Sequence, residues 1–294
     1  MPPAGRNWIV KSHALGNDYL VLDPAALTFR LTPAVIRRVC DRHLGVGSDG
    51  ILAVAPARGG DFGLRIYNPD GSEAEKSGNG LRIFAKFLYD HGYTRRERFT
   101  IDTPGGVAAV ALHLRGGRVE GMTVDIGRAT FWSDAIPVAG PRREVVDEPI
   151  EAGDQRLAFT GVSVGNPHCV VFVPDLRRVT VRQLGPLLET HPLFPNRTNV
   201  QFAQVIARDR IEIRIWERGA GETMASGSSA SAVAAAAVRA GVADRDVTVG
   251  MPGGELRIHV AEDWSIRMTG PASEVYVGTL SDDLVAALAA LDDR

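Results

Sequence analysis

The sequence repeats itself at a fixed distance. A shift of 149 positions carries Tyr67, Asn68, Glu73, Ser77 and Gly78 onto Trp216, Glu217, Glu222, Ser226 and Gly227. The same shift carries Gly16-Asn17 onto Gly165-Asn166, and Gly92 onto Gly241. Thr103-Pro104-Gly105-Gly106 recurs as Met251-Pro252-Gly253-Gly254 at a shift of 148. One near-constant offset at several separate places is an internal duplication, and a duplication limits the possible folds before any single element is assigned. Each copy reads strand, glycine-containing loop, Glu, then Ser-Gly opening a helix. The 294 residues therefore divide into two domains of ordinary size. They are expected at 1–127, with the C-terminal helix 272–294 added, and at 128–271.

Within the first copy, Trp8–Lys11 and Tyr19–Leu22 are strands around the turn Leu15-Gly16-Asn17-Asp18. Thr32-Pro33 has N-cap and first-turn chemistry, and Val35, Ile36, Val39 and Cys40 fall on one helical face. Gly45 is expected to end that helix. Ile51–Ala55 and Gly63–Tyr67 are strands. The helix opened by Ser77-Gly78 carries Leu81, Ile83, Phe84, Ala85, Phe87 and Leu88, apolar nearly all round, so it is expected to be buried inside its domain. Phe99–Asp102, Val107–Leu114 and Gly121–Ile126 alternate as strands wrapping it. The stretch 129–154, with several Pro and Gly residues, includes the crossover between copies. In the second copy Val162–Phe172 contains the turn Gly165-Asn166-Pro167-His168 between strand-like runs, Thr198–Ala207 and Ile211–Trp216 are strands, Val181–Leu188 is a short helix, and Leu280–Leu291 is a C-terminal amphipathic helix. The helix 228–239 is so rich in Ala that a backbone or sheet must pack very close to it. The fold class is α/β of the α+β kind, with two pseudo-symmetric domains, each a mostly antiparallel sheet rolled around a central helix.

The net charge of −2 supplies no electrostatic reason to expect a nucleic-acid or anionic-membrane partner. No apolar run approaches membrane-spanning length, and the first ten residues lack the apolar core of a leader peptide. Cys40 and Cys169 show neither metal-ligand spacing nor a disulfide framework. These features point to a soluble cytoplasmic protein with no metal.

Two Ser-Gly helix starts are the sharpest chemical feature. A helix N-terminus offers free N–H groups and partial positive charge to a carboxylate or phosphate. Ser77 or Ser226 alone reads as a plain N-cap; at repeat-equivalent positions, each after an acidic-glycine loop, the pair reads as a site for one small anion. His168 lies beside Asn166, as its repeat equivalent Tyr19 lies near Asn17, so both turns are expected to face the same cleft. Glu217-Arg218 closes an apolar strand. It reads either as a surface ion pair worth little or as the grip on an ammonium and a carboxylate, Arg taking the carboxylate in bidentate fashion.

These residues resemble the diaminopimelate epimerase family over nearly the whole chain. The resemblance rests on His13-Ala14-Leu15-Gly16-Asn17-Asp18-Tyr19, Asp41 to Gly47, Asn68 to Arg82, Gly165-Asn166-Pro167-His168-Cys169, Arg197-Thr198-Asn199 and Glu217 to Gly227. It implies two similar domains with the site in the cleft between them. It further implies a cofactor-free epimerase that inverts an α-carbon with two opposed bases, and a homodimer. On this resemblance Asn68, Asn199, Glu217 and Arg218 take the distal end of the substrate. Gly78, Asn79, Gly227 and Ser228 hold the reacting carboxylate, and Asn17 and Asn166 match as well.

The family's two bases are cysteines, each directly before the Gly that opens a central helix. Those positions here are Ser77 and Ser226. Gly50, Lys76, Ser228-Ser229 and Ser231 also depart from the family pattern, which reads as natural divergence of a cysteine-less branch. A hydroxyl is a far weaker acid than a thiol and needs a neighbouring base to accept a proton. Three readings stay open. The first is an amino-acid epimerase with diaminopimelate as the best single substrate. The second is another proton-transfer enzyme on the same fold, a phenazine-biosynthesis-type isomerase or a hydroxyproline dehydratase, with Glu217, Glu222 or His168 as base. The third is a non-catalytic amino-acid-binding paralogue.

Overall fold

A computed structural model describes residues 5–292. Among them are five helices: α1 (Pro33–Cys40), α2 (Gly78–Asp90), α3 (Val181–Glu189), α4 (Gly227–Arg239) and α5 (Asp282–Asp292). Strands make up most of the remaining regular structure, so the fold is sheet-dominated α+β. Two compact units form, one from the residues up to Val124 with those from Gly270 onward, the other from Asp125 to Thr269.

In the first unit, strand Trp8–Ala14 pairs antiparallel with Asn17–Leu22 and with Ser273–Thr279. Asn17–Leu22 runs parallel to Ile51–Ala55, which pairs antiparallel with Phe62–Tyr67. Arg98–Thr103, Gly106–Arg115 and Arg118–Arg128 continue as an antiparallel meander. Central helix α2 lies against strands 8–14, 17–22 and 106–115. Its Leu81, Ile83, Phe84, Phe87 and Leu88 are buried, as the all-round apolar pattern requires. Helices α1 and α5 pack together, adding Val35, Ile36, Val39 and Leu288 to a core with Leu20 and Ile51.

The second unit repeats this plan. Gln155–Ser163 and Pro167–Phe172 form a hairpin, Pro167–Phe172 runs parallel to Asn199–Ala207, and Asn199–Ala207 pairs antiparallel with Arg210–Glu217. The duplication reaches single cross-strand pairs. Leu20 faces Ile51 as Cys169 faces Val200, and Ile66 faces Ala74 as Ile215 faces Thr223, each 149 positions on. Helix α4 lies against strands 155–163, 167–172, 199–207 and 254–260. Ala232 and Ala234 to Ala237 are fully buried there, because only a methyl group fits between helix and sheet.

One local expectation changes. Helix α1 stops at Cys40, not at Gly45. The Asp41 side chain captures the amides of His43 at 2.8 Å and Leu44 at 2.6 Å, which diverts the chain out of the helix. Gly45 is required for a different reason, since a Cβ there would meet the Arg38 carbonyl oxygen at 2.0 Å. The stretch 129–154 also contributes to the second unit's core. Phe131, Ile136, Val138, Val145 and Ile150 are buried in the second unit, and Glu148–Ala152 forms a strand with Gln155–Phe159.

Candidate active site

Ser77 caps α2 in an extended conformation, its Oγ accepting from the Gly80 amide at 3.0 Å. Ser226 caps α4 in the same way, accepting from Ser229 at 3.4 Å. Behind each cap, the amides of Gly78 and Asn79 and of Gly227 and Ser228 have no acceptor among the described residues. Both helix starts can therefore take an anion, and both serines are also true caps.

In the first unit a buried guanidinium organises the start of α2. Arg82 is fully buried and donates to Asn79 Oδ1 at 2.8 Å and to the Pro271 carbonyl at 3.2 Å. Burial pulls its pKa down to about 10, so it stays charged at neutral pH. With its oxygen so engaged, Asn79 turns its NH2 to Asn17 Oδ1 at 3.0 Å, and Asn17 donates to Asp49 Oδ2 at 3.0 Å. Arg42 closes the chain on Asp49 at 2.7 Å and Asp18 at 2.8 Å. Tyr19 Oη stands 3.4 Å from Ser77 Oγ. Asn68 opens its turn by donating to Ser72 Oγ at 2.9 Å.

In the second unit His168 is fully buried with both ring nitrogens engaged, by Asn166 Oδ1 at 2.9 Å and Gln201 Nε2 at 3.0 Å. Burial pushes its pKa down to about 3, so the imidazole is neutral. Asn199 is buried and bridges two loops, donating to the Pro167 carbonyl at 2.9 Å and accepting from the Arg218 amide at 2.9 Å. Arg218 is exposed, with Nη1 on the Asn196 carbonyl at 3.1 Å, and Glu217 is half-buried. Sequence reasoning missed Glu189, a carboxylate only 4% exposed. It accepts from Trp216 Nε1 at 2.7 Å and the Gly219 amide at 2.9 Å, and it pairs with Arg197. That one group clamps the loop carrying Glu217 and Arg218.

A repeated ion pair was also missed. Glu73 pairs with Arg65, and 149 positions on Glu222 pairs with Arg214. Glu222 also meets Arg182 at 2.9 Å, and the Arg214 and Arg182 guanidiniums hold its carboxyl below the usual range. As an alternative base Glu222 is thus committed elsewhere. Burial raises the thiol pKa of both Cys40 and Cys169. Among the described residues no group of three or more His, Cys, Asp or Glu is placed to hold a metal, and no helix is long and apolar enough to cross a membrane.

The diaminopimelate epimerase profile matches residues 9–132 and 160–275. The chain belongs to the diaminopimelate epimerase family. It is 48% identical over 277 residues to diaminopimelate epimerase 2 of Nostoc sp., covering 94% of this chain and 96% of that one. It is 44% identical over 270 residues to the diaminopimelate epimerase of Pelotomaculum thermopropionicum, covering 91% and 96%. In three dimensions it is similar to a probable proline racemase from Agrobacterium radiobacter, with TM-score 0.69, 17% identity and coverage of 94% and 93%. At that identity the likeness shows the fold alone. Membership of the family makes this chain an isomerase of the epimerase class.

Proposed function

We propose that the protein is an amino-acid epimerase whose ligand is a diamino-dicarboxylate, best matched by LL- and meso-diaminopimelate, with serine at both proton-transfer positions. The observation that carries this reading is the pair of Ser-Gly helix starts with open amides, set in a chain of this family. The amides of Gly78, Asn79, Gly227 and Ser228 take the reacting carboxylate, where helix charge favours an anion. Asn68, Asn199, Glu217 and Arg218 take the distal ammonium and carboxylate. Asn199 fixes the Arg218 backbone and Glu189 fixes the loop beyond it. Inversion needs one group to remove the α-proton and another to return it; positions 77 and 226 are assigned to that work, which serine without an adjacent base performs slowly.

No cofactor enters this scheme. Of the other candidate bases, His168 is neutral with both nitrogens used and Glu222 is bound by two guanidiniums. His168 is assigned to positioning. The test is calorimetric binding of meso-diaminopimelate and of alanine, with α-proton loss followed in deuterium oxide. Tight binding of the first ligand with slow exchange is expected. Absence of any selective binding defeats the reading. The protein is further assigned as a cytoplasmic homodimer. Val275, Tyr276 and Val277 on strand Ser273–Thr279 are 57%, 42% and 42% exposed, apolar side chains on both faces of the strand that a second copy would cover. Tyr276→Asp should move the sedimenting mass from dimer to monomer, and an unchanged mass rules out this surface.

A further inference from the structure

Gln201, on strand Asn199–Ala207, lies against the first turn of α4. Its side chain is fully buried, and its Nε2 donates both to Ser229 Oγ at 2.9 Å and to His168 Nδ1 at 3.0 Å. An imidazole that accepts at Nδ1 carries its hydrogen on Nε2. That Nε2–H donates to Asn166 Oδ1 at 2.9 Å. The Asn166 carbonyl is therefore committed to His168. Its NH2 has no acceptor among the described residues and is left to donate to a ligand.

The relay has two internally consistent directions, and Gln201 decides between them. Its Oε1 is buried without a hydrogen-bond partner. Reversing the amide would place two N–H donors in that spot, and buried N–H groups are orphaned more rarely than carbonyl oxygens. The reversed relay would also turn the Asn166 oxygen outward. We propose that Gln201 is a positioning residue. Acting through the tautomer of His168, it makes Asn166 present an amide donor, not a carbonyl, to a carboxylate of the amino-acid ligand.

The first unit uses another device. Positions 52 and 80, equivalent to Gln201 and Ser229 at the 149 shift, are Leu52 and Gly80, and a Cβ on Gly80 would sit 3.0 Å from Leu52 Cδ2. Asn17, equivalent to Asn166, has its oxygen taken by Asn79 and its NH2 engaged by Asp49. The two repeat-related asparagines are thus set by different neighbours. The groups facing His168 are Gln201, Asn166 and Arg218, whose positive charge opposes protonation together with burial.

The proposal rests on the functional reading above for its carboxylate ligand, and one experiment separates the two. Two-bond 1H–15N correlation on the unmodified protein should show His168 as the Nε2–H tautomer. Gln201→Glu replaces the donor with an acceptor, so His168 should switch to Nδ1–H and Asn166 should turn its oxygen outward. Affinity for meso-diaminopimelate should then fall roughly tenfold to a hundredfold, the loss of one charge-assisted hydrogen bond. The new carboxylate also raises the His168 pKa. Once doubly protonated, the ring donates from both nitrogens, Asn166 turns back, and affinity of the variant should recover as pH falls. The unmodified protein should show no such recovery, and a merely structural glutamine would not produce it. An Nδ1–H tautomer in the unmodified protein, or Gln201→Glu binding as the unmodified protein does at every pH, overturns the proposal. If the unmodified protein fails to bind meso-diaminopimelate, the ligand assignment falls, while the tautomer of the unmodified protein still decides the relay even if the variant misfolds.

Discussion

Ser77→Cys combined with Ser226→Cys should raise α-proton exchange by roughly a hundredfold or more, the scale on which a positioned proton-transfer group acts. The caps set the size of the effect. A thiolate at position 77 would inherit the Gly80 amide that Ser77 accepts at 3.0 Å, and one at 226 the Ser229 amide now at 3.4 Å. A charge at a helix N-terminus is stabilised by about 0.3–1 kcal/mol, and up to about 2 kcal/mol in partly buried geometry. At about 1.4 kcal/mol per pKa unit, this takes a thiol from about 8.5 toward 7–8, so a large share is thiolate at pH 8. Burial of position 226, where Ser226 is 5% exposed, works against this and makes it the less acidic of the two. Either single change should help far less, because the two groups act as a unit. The assay is α-proton loss from diaminopimelate in deuterium oxide, by NMR, for the four Ser/Cys combinations. Rapid exchange by the all-serine protein would refute the view that serine disables the site and would turn attention to Glu217, Glu222 and His168 as bases. A double-cysteine form that binds diaminopimelate without exchanging it would mean that the site has been rebuilt for other chemistry.

Arg218→Ala should weaken diaminopimelate binding by about 2 kcal/mol, roughly 30-fold, and leave alanine binding almost unchanged; equal losses by calorimetry would remove Arg218 from the distal carboxylate. Gly185→Ala should destabilise the fold by about 1–3 kcal/mol, because the new Cβ would meet Trp216 Cγ at 2.5 Å; an unchanged urea midpoint would contradict that packing. His168 is depressed in the folded state from 6.5 to about 3, so the unfolded chain takes up its proton first. The neutral-histidine contribution is therefore complete above about pH 6.5 and declines as pH falls toward 3, by on the order of 1 kcal/mol per pH unit. His168→Asn should flatten the fall in urea midpoint between pH 6.5 and 5, and an unaltered slope would show that the imidazole is not held neutral.

The sequence alone determined the features that depend on neighbours along the chain. Ser77, Ser226 and Thr32-Pro33 mark helix starts because a cap bonds an amide only three residues on. The strands were legible from alternation, and the buried α2 from its apolar girth. The duplication was legible because copying preserves spacing, and the family motifs named the ligand-facing candidates without coordinates. Tertiary structure decided which polar side chains meet. Gln201 touches His168 only because Asn199–Ala207 runs parallel to Pro167–Phe172 in a register that sets Asn199 opposite His168. Glu189 clamps the Gly219 loop from 30 positions away, and Arg82 reaches the Pro271 carbonyl across 189. The pairing of Arg65 with Glu73 and of Arg214 with Glu222 comes from strand register, and it is what ties up Glu222. Burial is also a property of the packed fold. It makes His168 neutral and keeps both thiols protonated, because removal from water penalises the charged form of each.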